Sequence, residues 1–200
     1  MTEMLFKEDI VVRDIIDTAR ILFKQYGFKK TTMGDIARSL GKAKSSLYYY
    51  YSSKEDIFEE VLQTEMDELL DQIHQAMDKA TSSKEKLIVY CRCRLNKLSQ
   101  LYYLSDALKS DLAELHCMMT DLKSKFDTSH VELIKQILEE GVQNGEFKKI
   151  NHDNIELAAY LMVSSFRGLA MPLMVSQQQC PRLDQQIDFI VDLMVEGIGK

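Results

Sequence analysis

Proline and glycine are scarce in this chain of 200 residues, which contains two prolines and eight glycines. Because these residues interrupt helices most often, their scarcity leaves long patterns of apolar residues at helical spacing. Hydrophobic residues make up 46% of the chain and charged residues 28%, which is typical of a folded globular protein rather than a disordered one. The sequence therefore predicts an all-α protein of about nine helices in one or two domains.

The chain also lacks a basic flank followed by an apolar run at its start, so no signal peptide is predicted. The segment from Leu157 to Val175 is nearly long and apolar enough to span a membrane. However, Arg167 near its middle would cost roughly 2.5–3.5 kcal/mol on insertion, and Ser164, Ser165 and Pro172 weaken the case further. A helix that is apolar nearly all round also suits a buried subunit interface. We therefore predict a cytoplasmic protein without membrane contact.

Metal-ligand spacings are absent too, since the chain has neither a Cys-x-x-Cys nor a His-x-x-x-His motif. Cys91 and Cys93 fall in a helical pattern, where residues two apart point about 200° away from each other. They cannot bind one metal ion without unwinding that helix. We expect no metal and no cofactor, and free thiols in a reducing cytoplasm. The residues considered are Cys91, Cys93, Cys117, Cys180, His74, His116, His130 and His152.

No recognisable catalytic motif occurs in the sequence: there is no nucleophile elbow and no phosphate-binding glycine loop. The adjacent pairs Glu59-Glu60 and Glu139-Glu140 lie in helical patterns and diverge, so they are interpreted as solvated faces. An enzyme is therefore not predicted. A helical adaptor that binds other proteins stays open as an alternative, although such a protein would not need the basic segment described next.

Residues 31–51, TTMGDIARSLGKAKSSLYYYY, form a pattern of two short helices joined by a glycine turn. Thr32 is a predicted N-cap of the first helix, Gly41 fits the left-handed turn, and the second helix begins near Ala43. A short helix, a turn and a second helix with a polar outer face are typical of a helix-turn-helix, which inserts its second helix into the DNA major groove. The inner positions are Ile36, Ala37, Leu40, Leu47 and Tyr51, and the outer ones Lys44, Ser45, Ser46, Tyr48 and Tyr49.

Charge supports this interpretation over an ordinary helical hairpin. Residues 20–54 contain eight basic residues against one acid, Asp35, a net charge of +7 in a chain whose net charge is −6. A basic segment in an acidic protein is typical of a surface that binds phosphate. The four consecutive tyrosines from Tyr48 to Tyr51 cannot all be buried on one helical stripe, so at least two are predicted to point outward.

A set of short motifs surrounds and includes this pattern: Tyr26-Gly27-Phe28, Thr31-Thr32, Ile36-Ala37, Gly41, Leu47-Tyr48, and Ser53-Lys54-Glu55 after Tyr51. With these motifs, the segment from about residue 10 to about residue 62 resembles the DNA-binding domain of the TetR family of transcriptional regulators. Ala43 stands where that family often has a serine cap, and Ser45 where glycine is frequent, so we predict a weakly capped second helix.

The resemblance implies a ligand-responsive regulator, more specifically a repressor, which binds a palindromic double-stranded DNA operator as a homodimer and is released by a small apolar or amphipathic effector. It also implies a DNA-binding domain over residues 1–53 and an effector-binding and dimerisation domain over residues 54–200. The residues expected to approach base edges are Lys44, Ser45, Ser46 and Tyr48. Those expected to hold phosphates are Thr32, Tyr49, Tyr50 and Lys54.

The second domain should contain long helices, with the last two suited either to dimerisation or to the core of one subunit. Arg167 could pair with an anionic ligand or with a buried acid. Candidate residues for an effector pocket, each of which could instead be ordinary core, are Tyr90, Tyr102, Tyr103, His116, Met119, Phe126, Phe166 and Arg167. The predicted helices run from about Asp9 to Tyr26, Lys54 to Ala80, Lys84 to Leu104, Asp121 to Val142, and Leu183 to Ile198. Two further helices are predicted, one capped by Ser105 and running through Met119, and one that starts at Asn151 or Asp153 and runs through Leu173.

Overall fold

A computed structural model describes residues 2–103 and 120–175, together with residues 189, 192 and 193. The described part contains seven helices and no strand, which confirms the all-α prediction. The predicted helices after Ser105 and after Leu183 lie outside the described residues, apart from those three positions. The seven helices are α1 (Thr2–Tyr26), α2 (Met33–Ser39), α3 (Lys44–Tyr50), α4 (Lys54–Met77), α5 (Ser83–Tyr103), α6 (Thr120–Gln143) and α7 (Ile155–Val175).

Helix α1 begins at Thr2, seven residues before the predicted start at Asp9. Residues 2–8 contain neither proline nor glycine, so nothing in them ends the helix early. The helix stops at Tyr26 because Gly27 adopts a positive φ of 85°, which glycine reaches without steric cost. The buried hydroxyl of Thr31 then donates to the Gly27 carbonyl at 2.8 Å and fixes the chain as it leaves the helix.

The described residues divide into two units, each with its own core, and the first of them covers residues 2–66 and 120–122. In this unit the rings of Phe23, Phe28 and Phe58 meet with centroid separations of 4.8–5.7 Å. An ion pair from Arg20 to Glu65, at 3.2 Å, joins α1 to α4. The buried core comprises Ile15, Ile16, Ala19, Phe23, Phe28, Met33, Ile36, Ala37, Leu47, Ile57, Phe58 and Val61.

The second unit contains residues 67–103 and 123–175, and its core is formed by the end of α4 with α5, α6 and α7. Helix α4 is continuous from Lys54 to Met77, so its residues contribute to both cores. The buried residues include Leu69, Ile73, Met77, Leu87, Tyr90, Cys91, Leu95, Leu133, Ile134, Ile137, Leu138, Phe147, Ile150, Ile155, Ala159, Met162, Val163 and Phe166.

The loop after α6 is fastened to the start of α5. The amides of Ser83 and Lys84 donate to the two carboxylate oxygens of Glu146, each at 3.1 Å. The next free amide, that of Glu85, donates to the Ser82 hydroxyl at 3.1 Å, so a side chain of the preceding turn also caps this helix. Phe147 follows directly and is buried in the core.

The following statements on membrane-spanning helices, metal ligands and cysteines concern only residues 2–103, 120–175 and the three later positions. No helix among them is both long enough and apolar enough to cross a membrane. No group of three potential metal ligands occurs there. Cys91 and Cys93 have free thiols, and burial raises the pKa of Cys91 to about 12. Cys117 and Cys180 lie outside the described residues.

Candidate nucleic-acid interface and effector site

Helix α2 begins with a capping box between Thr32 and Asp35. The Asp35 amide donates to the Thr32 hydroxyl at 3.2 Å, and the Thr32 amide donates to the Asp35 carboxylate at 3.0 Å. The Thr32 hydroxyl also donates to that carboxylate at 2.6 Å, and these hydrogen bonds from Thr32 lower the pKa of Asp35. The predicted N-cap is confirmed, and both hydrogen-bond donors of Thr32 are directed at Asp35.

The turn after α2 is a Schellman motif. The Lys42 amide donates to the Ala37 carbonyl at 2.9 Å, and the Gly41 amide donates to the Arg38 carbonyl at 3.1 Å. Gly41 has a φ of 64°, as the sequence predicted, and open space surrounds the position where a Cβ would stand. Glycine is thus required here by the backbone conformation, and this turn sets the angle between α2 and α3.

Helix α3 has only seven residues and turns one of them, Leu47, fully into the core. Ala43 occupies the N-cap in an extended conformation and makes no side-chain hydrogen bond, so the weak cap predicted from the sequence is confirmed. The other side of the helix is exposed to solvent. The exposed residues are Lys44, Ser45, Ser46, Tyr48 and Tyr49.

The four consecutive tyrosines divide into two pairs. Tyr48 and Tyr49 are 48% and 74% exposed, which confirms that at least two point outward. Tyr50 and Tyr51 are half-buried and pack against the core of the first unit. Tyr51 lies one residue beyond α3, at its C-cap, and burial raises the pKa of its hydroxyl to about 12. The Lys44 ammonium lies 5.6 Å from the centre of the Tyr48 ring, so the outer face carries a cation beside an aromatic ring.

Lys54 stands at the start of α4 and is half-buried rather than free in solvent. Its ammonium donates to the Phe28 carbonyl at 2.8 Å and lies 4.0 Å from the centre of the Phe28 ring. A Ser53–Asp56 capping box stands beside it, formed by two hydrogen bonds of 3.1 Å. Lys54 therefore ties the start of α4 to the loop after α1, a contact that the sequence did not indicate.

Part of the basic segment is neutralised within the first unit. Arg20 pairs with Glu65 and Arg38 with Asp35, both at 3.2 Å. Lys42 and Lys44 are exposed on either side of the start of α3. Positive charge therefore lies next to the exposed serines and tyrosines, which is the arrangement that a phosphate backbone would complement.

Only three of the predicted effector-pocket residues have side chains in the described part of the structure. Tyr90 and Phe166 are fully buried in the second unit and Phe126 is half-buried. Tyr102 and Tyr103 lie in α5 and Arg167 in α7, but their side chains are outside the described part of the structure. His116 and Met119 fall outside the described residues altogether.

Two buried polar residues near Tyr90 were not among the effector-pocket candidates predicted from the sequence. Arg94 lies one helical turn after Tyr90 in α5, and His130 in α6 had been considered only as a metal ligand. The His130 ring centre is 5.5 Å from that of Tyr90 and 4.1 Å from that of Phe126. A signal was present, since Arg94 falls at helical spacing on the otherwise apolar face formed by Leu87, Tyr90 and Cys91.

Comparison with known proteins identifies the family. The model described as bacterial regulatory proteins, tetR family, matches residues 15–61, and that of the YsiA-like protein C-terminal region matches residues 62–195. The chain belongs to the TetR family of transcriptional regulators. It is a ligand-responsive, DNA-binding regulator, and the resemblance found in residues 10–62 extends to the second unit.

Individual relatives of this TetR-family regulator agree with the assignment. The transcriptional repressor KstR2 of Mycolicibacterium smegmatis is 33% identical over 68% of this chain and 66% of its own length. A transcriptional regulator from Cytophaga hutchinsonii is 26% identical, with a TM-score of 0.72 over 93% of this chain and 97% of its own. A TetR-family regulator from Pectobacterium atrosepticum is 18% identical, with a TM-score of 0.77 over 96% of both chains, and it shows the same fold.

Proposed function

We propose that this regulator is a repressor that binds a palindromic operator as a homodimer, and that a small apolar or amphipathic effector releases it from DNA. The observation that carries the proposal is the two-sided construction of α3. Leu47 anchors the helix in the core while the opposite side presents a cation, two hydroxyls and two aromatic rings to solvent. Those are the groups that make base-edge and phosphate contacts in a major groove.

Within that surface we divide the contacts by position. Lys44, Ser45, Ser46 and Tyr48 approach base edges, because they lie in the first turns of α3, the part of a recognition helix that enters the groove. Thr32, Tyr49, Tyr50 and Lys54 hold phosphates and thereby fix the register. For Thr32 and Lys54 the contact must be shared with Asp35 and with the Phe28 carbonyl, their partners in the structure. Residues 1–53 are the proposed DNA-binding domain and residues 54–200 the effector-binding and dimerisation domain.

An exposed apolar face supports the homodimer. Leu157, Tyr160 and Leu161 are 53–59% exposed and lie at helical spacing on one side of α7. Phe189 and Leu193, four residues apart in the last segment, are also exposed. Apolar side chains repeated along one helical face in this way are typical of a protein–protein contact, and a second copy of the chain is the occupant that a palindromic operator requires. Leu161→Glu should therefore convert the dimer to a monomer in sedimentation velocity, whereas Lys148→Glu, on the exposed loop after α6, should not.

Operator binding is tested with the DNA upstream of the regulator's own gene in a gel-shift titration. Lys44→Ala should relax the preference at one operator position, at a cost of about 1–3 kcal/mol for the correct sequence. Lys54→Ala should weaken binding to all DNA sequences alike. It should also reduce the slope of the logarithm of affinity against the logarithm of salt concentration by about one unit. Lys148→Ala, which removes a distant exposed lysine, is the matched control. If Lys44→Ala and Lys54→Ala both lost affinity uniformly across operator variants, the assignment of Lys44 to base edges and Lys54 to phosphates would be contradicted.

Release by the effector follows from linkage. A ligand that prefers a conformation unsuited to the operator weakens DNA binding by its difference in affinity for the two states, and DNA weakens ligand binding by the same factor. Couplings of this kind are typically about 1–3 kcal/mol, or roughly 5–150-fold in affinity. We expect no enzymatic activity, no cofactor and no membrane partner, and we expect the regulator to act in the cytoplasm, where a bacterial operator lies.

A further inference from the structure

Arg94 is a buried cation that makes no ion pair with any described residue. It is only 8% exposed, and its Nη1 atom has no hydrogen-bond partner. None of the described carboxylates lies within 4.0 Å of its guanidinium group. Removing a charge from water without pairing it is costly, so a cation left in this state is poised for a partner that the described residues do not supply.

Two more polar groups without partners share this place. Both ring nitrogens of His130 and the hydroxyl of Tyr90 are buried and make no hydrogen bond. Aromatic contacts bring the groups together, since the Arg94 guanidinium carbon lies 5.0 Å from the Phe126 ring centre and 5.9 Å from that of Tyr90. Native proteins satisfy nearly all buried polar groups, so four unpartnered atoms in one cluster are unusual.

The protonation states of His130 and Tyr90 determine which charge the cluster can accept. Burial, together with the positive charges of Arg94 and His74, lowers the pKa of His130 to about 3, so the ring is neutral at physiological pH. Burial also raises the pKa of Tyr90, which keeps its hydroxyl protonated. The cluster therefore offers one full positive charge and two neutral groups that can each donate one hydrogen bond. An anionic group complements this set, whereas a cation would be repelled.

We propose that Arg94, with His130 and Tyr90, binds the anionic head of an amphipathic effector, a carboxylate or a phosphate carried on an apolar body. The apolar body is inferred from the core that Tyr90 shares with Leu95, Leu133, Ile134 and Phe166, the last with its ring centre 5.8 Å from that of Tyr90. The inference rests on the proposed function, in which the second unit takes an effector, and it specifies the chemical class of that effector.

The wild-type protein tests the charge requirement without any substitution. Thermal unfolding is followed with four probes of equal chain length: decanoate, decyl phosphate, decanol and decyltrimethylammonium, each below its micelle-forming concentration. We expect one or both anions to raise the melting temperature in a concentration-dependent manner, while decanol and the cation do not. The anion that gives the larger shift distinguishes a carboxylate site from a phosphate site. Equal shifts from decanoate and decanol, or no shift from either anion, would overturn the proposal.

Variants then assign the effect to Arg94. Arg94→Met keeps much of the length and removes the charge, so it should abolish the anion-dependent shift and weaken binding by about tenfold or more. Because it removes an unpaired buried charge, its own melting temperature should equal or exceed that of the wild type. Arg92→Met, on the exposed side of α5, is the control and should keep the shift. A lower melting temperature for Arg94→Met with an undiminished anion shift would identify Arg94 as a structural residue and refute the site.

His130→Phe gives a second, independent variant if Arg94→Met does not fold. It preserves the aromatic packing with Tyr90 and Phe126 but removes a hydrogen-bonding group, so it should weaken anion binding severalfold. Operator titration separates this proposal from the proposed function. An anion that binds through Arg94 but leaves operator affinity unchanged would refute release by the effector, whereas operator binding without any anion binding would refute only the head site.

Discussion

Glu146 caps a helix that begins 63 residues earlier in the chain, by accepting a hydrogen bond of 3.1 Å from the amide of Ser83. Its second carboxylate oxygen accepts from the Lys84 amide at the same distance, so one side chain satisfies two of the free amides at the start of α5. A negative charge at a helix N-terminus is favourable as well. Local sequence would not reveal this cap, since it depends on the loop after α6.

Glu146→Gln should therefore lower the free energy of unfolding by about 1–2 kcal/mol, because it removes the charge and replaces one acceptor oxygen by a donor. Urea denaturation measures the change. Glu139→Gln, an exposed carboxylate of α6, is the matched control and should change the free energy of unfolding by less than about 0.5 kcal/mol. Equal effects of the two substitutions would mean that the cap contributes nothing.

Substitution by alanine should change the stability of the first unit in opposite directions at the two glycines near α2. Gly41 has a φ of 64°, so Gly41→Ala should destabilise the first unit by about 1–2 kcal/mol through backbone strain alone. Gly34 lies inside α2, where an added Cβ would meet only the Thr32 hydroxyl at an ordinary 3.6 Å. Gly34→Ala should therefore stabilise by about 0.5–1 kcal/mol. Thermal or urea unfolding of the two variants side by side provides the check, and a shift of the same sign would contradict the assignment.

The uncapped start of α3 can be repaired. Ala43 already has the extended backbone conformation of an N-cap, so Ala43→Ser supplies the missing acceptor without moving the chain. We expect a gain of about 0.5–1 kcal/mol in the free energy of unfolding. Ala43→Val adds volume but no acceptor and is the control for packing at this exposed position. If serine and valine gave the same stability, the free amides of α3 would have to be satisfied by water alone.

Acid sensitivity should depend on His130. Its folded-state pKa of about 3 lies below the reference value of 6.5, so the unfolded chain binds more protons between these values. Stability is therefore fully present above about pH 6.5 and is lost as the pH falls toward 3, by up to about 1.4 kcal/mol per pH unit. His130→Phe should flatten this dependence in urea unfolding at pH 7, 6 and 5. An unchanged slope in the variant would show that other groups cause the acid sensitivity.

Features determined by neighbouring residues were predictable from the sequence. The Thr32–Asp35 and Ser53–Asp56 capping boxes depend on residues three apart, and Gly41 is required by the local turn. The outward direction of Tyr48 and Tyr49 follows from helical periodicity, because one stripe cannot bury four consecutive side chains.

Features that depend on distant residues were not predictable. Lys54 was expected to be free for phosphate, but it donates to the Phe28 carbonyl, a residue 26 positions earlier. Arg94 was not singled out, because only the packing of α5 against α6 brings it close to Phe126 and His130. Periodicity shows which face of a helix is apolar, but it does not show which polar groups share an interior with it.

Leu47 is the single fully buried residue of α3 and Tyr50 is half-buried, so two side chains hold the helix in place while five of its seven positions remain in solvent. Those five positions can change chemically with little effect on folding, because surface substitutions usually alter stability by less than about 0.5 kcal/mol. Under the proposed role of Lys44, Ser45, Ser46, Tyr48 and Tyr49 in operator recognition, a gene duplicate could acquire a new operator through mutations at these positions while keeping its scaffold. The protein separates what it recognises from what keeps it folded, and that separation lets regulators of one architecture diversify over many genes.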